Sequence, residues 1–370
     1  MQEKLKEHVI GNMQKVKVVH QVLDPSGSGG VSAEFRTLKE SKLSEKYEFI
    51  PMILTDFHAG LNIKDMKFYY KFIIKEKPDI VHIRGAAIDG LNAVIAAKLA
   101  GNCKILVTVH GMYSDLVYIS KLKRWISKNI IERLIFLLSN GISCVCKNAS
   151  DRPYFDKYRK KMLPYVYNRI PNYNLKLQKQ YREEIREKYD ISQDEIIALY
   201  VGRMTREKGL ETVERCFERM KNGWPNNLTF LFVGDGDYYK MMKDKCASFS
   251  TKILFVGDQR DVEKYYAAAD FFIQPSLHEN HSISLLEACA AKLPAIATNC
   301  GGNTEIISSE KTGVIIPVND DDALSCAIYR MVDFEERAKF KHNLEKYDFS
   351  MFSNDSSDRS LDCVYEALME

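Results

Sequence analysis

Glu279 and Glu287, separated by seven residues in Gln274-Pro-Ser-Leu-His-Glu-Asn-His-Ser-Ile-Ser-Leu-Leu-Glu287, are the side chains whose spacing says most about chemistry. A strand-like run, Ala269 to Gln274, meets Pro275 and Ser276. The apolar residues Ile283, Leu285, Leu286, Ala288 and Cys289 then resume at helical spacing, so both carboxylates flank the start of one helix. Glu279 falls in the entry loop, near backbone N–H groups able to hold an anion, and Glu287 lies one to two turns in, where it can accept two hydrogen bonds from a diol. A nucleotide sugar offers both partners. Taken alone, the pair also reads as two solvated glutamates around a helix cap.

Upstream, Glu195-Ile-Ile-Ala-Leu-Tyr-Val201 reads as a buried strand that runs into Gly202-Arg203-Met-Thr-Arg-Glu207-Lys208-Gly209 and then a helix to about Met220. Strand, basic turn and helix suit a phosphate. Arg203 offers a rigid fork, and Lys208 a compact second charge for the same diphosphate. By itself either reads as a surface charge, and it is the glutamate pair further along that joins them to a site.

The motifs Val201-Gly202-Arg203 to Lys208-Gly209, Phe232-Val-Gly234-Asp-Gly236, Pro275-Ser276 to Glu279 and Glu287, and Gly301-Gly302-Asn-Thr-Glu305 stand in an order and spacing that resembles the retaining glycosyltransferases of family 4, the glycosyl transferases group 1. The resemblance covers most of residues 196–317, with weaker matches through the first half. It implies a GT-B fold, α/β with two Rossmann-like domains facing across a cleft, and a nucleotide-diphosphate sugar as donor. It also implies Arg203 and Lys208 as diphosphate ligands, Glu287 as acceptor of the ribose hydroxyls and Glu279 as a contact to the donor-sugar hydroxyls. Gly202, Gly234 and Ile283 join the substrate-binding set through the same motifs. A departing diphosphate gains negative charge, so fixed cations favour the transition state, and losing one such donor costs about 10² to 10³ in rate.

Where the family shows Gly-Phe-Gly after the first glutamate, this chain has Asn280-His281-Ser282. Asn tolerates a left-handed backbone and Ser is small, so the loop can still bring its amides to a sugar or phosphate. All three are substrate-binding candidates, and the departure bears on which donor is used. His278 and His281 read either as sugar contacts or as plain loop histidines.

Length and composition set the frame. The 370 residues, 45% hydrophobic and 28% charged, fit two domains with proper cores. The apolar run Ile130 to Leu138 is broken by Glu132 and Arg133, and the N-terminus lacks the charged and apolar regions of a secretory leader. A cytoplasmic protein is therefore expected, at most touching the inner face of a membrane. Nine scattered cysteines suit a reducing compartment. Cys144 and Cys146 alternate as in a strand, so neither disulfide nor zinc is expected.

Residues 1–180 hold 30 Lys and Arg against 16 Asp and Glu, and residues 181–370 hold 23 against 34. That asymmetry suits an anionic partner for the first half, whether a membrane surface, a lipid phosphate or nucleic acid. The stretch Ile119 to Leu138 is basic and amphipathic, with Trp125 among its lysines. It reads as an interfacial anchor or as a domain helix with a solvated basic face. The cluster Lys157 to Lys161 tips the balance toward a membrane, and no nucleic-acid partner is expected.

Lys15 to Leu23 opens as a strand and runs into Asp24-Pro-Ser-Gly27-Ser-Gly29-Gly30-Val31. Ser32 stands where a dinucleotide fingerprint has its last glycine, so NAD is not expected. In the resembled family a glycine-rich loop here borders the acceptor and the donor phosphates, which makes Gly29 and Gly30 candidates for close backbone approach, a tight turn being the other reading. Ile80 to Arg84, Ile105 to His110 and Ile142 to Cys146 continue a parallel α/β pattern. His110 ends its strand at the edge where open sheets bind ligands and matches the family's active-site histidine, whereas His82, inside a strand, reads as packed.

Six further strands are expected, Ile196 to Val201, Thr229 to Val233, Ile253 to Val256, Phe271 to Gln274, Ala295 to Ala297 and Gly313 to Pro317. The expected division is 1–175 for an acceptor-side domain, 176–350 for a nucleotide-sugar domain, and 351–370 for a last helix that returns to the first. Asp235-Gly-Asp237 reads as a turn and cap more than as a metal site. No metal and no other cofactor is expected. The resulting expectation is a retaining glycosyltransferase that uses Arg203, Lys208, Glu279 and His110 for catalysis. It moves a sugar from a UDP- or GDP-sugar, UDP favoured, to a hydroxyl of a glycan or polyprenol-linked glycan in cell-surface polysaccharide assembly. A sugar-nucleotide epimerase of the same fold and an inactive binding subunit are the other readings.

Overall fold

The computed structural model describes residues 15–22, 30–54, 60–220 and 223–370. Two all-parallel sheets organise them. The first contains β1 (Val16–Val22), β2 (Tyr47–Ile53), β3 (Ile80–Ala86), β4 (Lys104–Met112) and β5 (Gly141–Cys144) in the order β2-β1-β3-β4-β5. The second contains β6 (Ile196–Val201), β7 (Leu228–Val233), β8 (Lys252–Phe255), β9 (Phe271–Gln274), β10 (Ala295–Thr298) and β11 (Gly313–Ile316) in the order β11-β10-β9-β6-β7-β8. Near-continuous apolar runs such as Ile-Ile-Ala-Leu-Tyr-Val in β6 are buried at every position, as parallel strands covered by helices on both faces must be.

β2 has no counterpart among the expected strands. It carries Pro51 and pairs only with β1. A proline cannot donate to a ladder, so it is tolerated at a sheet edge, and it hides the strand from a reading of sequence. The expected basic helix is also corrected. It is an α-helix at Lys121–Ile126, a wider π turn at Ser127–Ile131 and a second α-helix at Glu132–Leu138. Ser120 caps the start, accepting from the Lys123 amide at 3.3 Å. The wide turn brings the Ser127 hydroxyl 2.9 Å from the carboxylate of Glu132, five residues on. Glu132 is buried and also accepts from the amide and the hydroxyl of Ser114.

Five helices matter for the site: α1 (Gly30–Lys39), α2 (Gln178–Lys188), α3 (Leu210–Arg219), α4 (Ile283–Ala290) and α5 (Asn354–Met369). Although α5 follows the second sheet in the chain, its apolar side, Leu361, Val364, Tyr365 and Leu368, packs with Val18, Val22 and Phe35 of the first. Burying each such side chain contributes roughly 1.5–3 kcal/mol. The Tyr365 hydroxyl lies 2.9 Å from His82 Nδ1 and 3.1 Å from His20 Nε2, and His82 Nε2 lies 2.7 Å from the Thr108 hydroxyl. The two stretches that connect the halves, 164–174 and 347–353, touch each other where the Ile170 amide donates to the Phe352 carbonyl at 2.8 Å.

Candidate active site

Strand order reverses between β1 and β3 in one sheet and between β6 and β9 in the other, and open sheets bind ligands at such points. The loops leaving β6 and β9 carry Arg203, Lys208 and Glu279, and Glu287 lies in α4, the helix that the second loop enters. The two loops are fastened together. A Cβ on Gly209, which has φ +72°, would lie 1.8 Å from the Pro275 carbonyl oxygen, so only glycine allows this approach. The Leu277 amide donates to the Glu207 carbonyl at 2.9 Å.

Across that junction Lys208 Nζ lies 2.6 Å from Glu279 Oε1. The same oxygen accepts from Gln274 Nε2 at 3.1 Å and the Ser276 hydroxyl at 2.9 Å. Glu279 is thereby fixed by three donors. Arg203 is exposed on the same turn and pairs with no described side chain. Gly202 and Gly234 put two backbones against each other, since a Cβ on Gly234 would stand 2.0 Å from the Gly202 carbonyl oxygen. Asp235 accepts from the Gly236 amide at 2.7 Å in an exposed turn.

Ser282 is the N-cap of α4, its hydroxyl accepting from the Leu285 amide at 3.2 Å, and Ile283 opens the helix partly exposed. Glu287 follows on the next turn. Burial pushes its carboxyl up to about 7, against the opposing effect of the Tyr266 hydroxyl that donates to it at 3.0 Å. With Ile283 it borders a cavity of about 290 Å³ that Glu34, Arg169 and Asn354 also line. Burial acts to raise Glu34, but the Arg84 fork at 2.7 and 2.9 Å overrides it and holds that carboxyl at about 2. The charges of both reach His110. Burial lowers this imidazole to about 4, Arg84 adding to the effect and Glu34 opposing it. Its Nε2 is buried without a partner among the described residues, so a neutral ring presents one unused polar atom.

The loop after Glu279 is where the two halves meet. Asn280 Nδ2 donates to the His110 carbonyl at 2.8 Å, and Asn280 Oδ1 accepts from Arg152 at 2.5 Å. Arg152 also pairs with Asp115 at 2.6 Å, and His278 lies 3.4 Å from the same carboxylate. Two other glutamates bridge the halves. Glu207 accepts from the amides of Val117 and Tyr118, both at 3.0 Å, and Glu305 accepts from the amides of Lys147 and Asn148 at 3.1 and 2.7 Å.

Sequence candidates fare differently. Arg203, Lys208, Glu279, Gly202 and Gly234 gather at the β6/β9 junction, and His110 stands across the cleft on β4. His281 is corrected. Its ring is buried between Tyr167 at 5.0 Å and Phe352 at 5.3 Å, and burial pushes it down to about 3, so it packs the interface instead of facing a sugar. Asn280 spends its amide on the first half of the molecule. Gly30 is the first residue of α1, and Gly29 lies outside the described residues. Missed in the sequence were Glu207, for which adjacency to Lys208 was the available signal, and Arg84, at the end of β3 beside the first reversal point. Asp115 and Arg152 gave none.

Residues 181–348 match the family model described as glycosyl transferases group 1, and residues 44–152 the model described as Glycosyltransferase Family 4. The chain is 27% identical over 305 residues to the Escherichia coli UDP-Gal:alpha-D-GlcNAc-diphosphoundecaprenol alpha-1,3-galactosyltransferase, covering 77% of this chain and 74% of that one. It is 25% identical over 270 residues to the alpha-monoglucosyldiacylglycerol synthase of Acholeplasma laidlawii, covering 69% and 67%. Among solved structures it is similar to the sucrose-phosphate synthase of Thermosynechococcus elongatus, with a TM-score of 0.77 at 19% identity over 96% of this chain and 99% of that one. Anabaena HepE in complex with UDP and glucose gives a TM-score of 0.75 at 13% identity over 95% and 100%. These neighbours are GT-B glycosyltransferases, and the two parallel sheets share their fold.

Proposed function

The chain belongs to the glycosyl transferases of group 1 and is a glycosyltransferase of glycan or lipid-linked polysaccharide assembly, and from that premise we propose a retaining, metal-independent transfer from a UDP-sugar. The observation that carries this reading is the Lys208–Glu279 contact at the strand-order reversal, where one cation and one carboxylate stand side by side. Lys208 and the exposed Arg203 would take the diphosphate, Glu279 and His110 Nε2 the sugar hydroxyls, and Glu287 the ribose. In retention the acceptor hydroxyl bonds to the anomeric carbon on the face from which the diphosphate oxygen leaves. The hydroxyl proton passes to that departing oxygen, so charge stabilisation and positioning do the work and no separate base is needed. Favouring UDP over GDP rests on the E. coli relative, whose name carries UDP-Gal, and a polyprenol-linked acceptor rests on the same name.

The test is a metal-free thermal-shift screen against UDP-, GDP- and ADP-sugars with Lys208→Ala and Glu287→Ala alongside the wild type. A donor at about 100 times its Kd stabilises the fold by about 2.7 kcal/mol. We expect UDP-sugars to raise Tm in the wild type alone. Equal shifts in the variants would remove the assigned site, and a shift with GDP-sugars only would replace the donor.

Contact with the inner face of a membrane is part of this reading. Leu122 is 67% exposed and Trp125 57% exposed, and Leu134 and Leu137 are also exposed, on a segment that carries Lys121, Lys123, Lys128 and Arg133. Exposed apolar side chains among cations suit an anionic lipid surface. Among the described residues no helix is long and apolar enough to cross a membrane. Flotation with anionic vesicles should carry the wild type and lose a Leu122→Glu, Trp125→Glu variant. Flotation of both, or of neither, would refute the contact.

A further inference from the structure

We propose that Asn280 is a positioning residue of the transfer site, whose side-chain amide fastens the loop carrying Glu279 onto the first half of the molecule when the cleft closes. The residue stands where the resembled family has glycine, and it is 4% exposed. A primary amide has a donor end and an acceptor end. Both are used on first-half groups, the Nδ2 on the His110 carbonyl at 2.8 Å and the Oδ1 on Arg152 at 2.5 Å. Arg152 is itself held by Asp115 at 2.6 Å, which faces His278 of the same loop at 3.4 Å.

The order of residues along the loop gives these contacts their meaning. His278 and Asn280 hold groups of the first half, whereas Glu279 between them holds Lys208 of the second at 2.6 Å. Glu279 is set on Lys208 by second-half donors alone, and it is the engagement of its two neighbours across the cleft that fixes this loop against the strand of His110. The Asn280 carbonyl adds to the restraint, accepting from the Gly302 amide at 2.6 Å and the Cys146 thiol at 3.1 Å. Glycine could keep those carbonyl bonds but not the two made by the amide. Aspartate would turn an acceptor toward the His110 carbonyl in place of a donor. The closure contact stands on geometry alone, and its consequence for turnover rests on the donor site proposed above.

Hydrogen exchange of the whole, ligand-free chain tests it in the wild type, Asn280→Gly, Asn280→Asp and Arg152→Ala. We expect residues 276–282 and residues 108–118, on opposite sides of the cleft, to exchange about tenfold faster in all three variants, the scale of one net hydrogen bond. Faster exchange confined to 276–282 would overturn the inference, because it would mean local loop packing. So would an unchanged 276–282 in Arg152→Ala, where the loop itself is intact. With the donor from the nucleotide screen, Asn280→Gly should lose about tenfold in kcat with donor KM changed less than about twofold, whereas a lost ligand would raise KM. If no nucleotide sugar binds, the donor-site reading falls while the exchange result still decides the closure contact.

Discussion

A diphosphate that reaches Lys208 meets an ammonium already held 2.6 Å from Glu279, so binding exchanges one anionic partner for another and leaves Glu279 with free oxygen lone pairs. For that reason Lys208→Ala should cut donor consumption by about 10² to 10³. Its melting temperature should hardly move, because a partly exposed ion pair contributes about 0–1 kcal/mol. Glu287 makes a different prediction. Its carboxyl is raised from the ordinary 4.5 to about 7, so between those values the unfolded chain releases a proton that the folded chain keeps. Stability therefore falls as pH rises through that window, by about 3 kcal/mol in all. The buried histidines, held below their ordinary range, add an opposing rise that is common to wild type and variant, so the test is the difference: from pH 4.5 to 8 the melting temperature of Glu287→Gln should gain on that of the wild type, and parallel curves would locate the proton elsewhere. The placement of Lys208 and the two glutamates was legible because each lies in the loop or the first turns between a strand and a helix that are written in the adjacent sequence. Arg152 was not, since its contact with Asn280 spans 128 positions.

The two donor-site loops stand or fall with the elements behind them. Gly209→Ala puts a methyl 1.8 Å from the Pro275 oxygen at a φ of +72°, and the backbone of one loop must move. We expect a loss of more than about 2 kcal/mol in urea unfolding, together with the loss of any nucleotide-induced Tm shift. An alanine variant as stable as the wild type would mean that the loops are not fastened at this point. Most strands could be read from their apolar runs because parallel strands bury both faces, as β6 and β9 do throughout. β2 escaped because an edge strand tolerates Pro51 and an exposed Glu48. The segment from Lys121 to Leu138 was legible as amphipathic, but its wide turn depends on Ser127 meeting Glu132, which periodicity does not report.

At the scale of the whole molecule, α5 ties the end of the described chain to the first sheet through its apolar face and through one hydroxyl shared by two buried histidines. Tyr365→Phe leaves both rings short of a partner, and we expect about 1–3 kcal/mol of destabilisation by urea unfolding. A neutral substitution would show that the apolar packing and the contacts of Lys46 and Tyr47 with Asp362 seat the helix without the hydroxyl. The parallel α/β layout of both sheets was readable from alternating strands and helices. Their relative placement was not, because it rests on pairs such as Glu207 with Val117 that share no local pattern. The return of α5 also has a mechanical consequence. The chain crosses between the sheets twice, at 164–174 and at 347–353, and the two crossings are bonded to each other from Ile170 to Phe352. A single tether would act as a swivel with three rotational freedoms. Two joined tethers define a line, so a swing of the second sheet would be confined to one axis, as a door is by its pins, and a return along it would bring the loop of Glu279 back over His110 along the same arc.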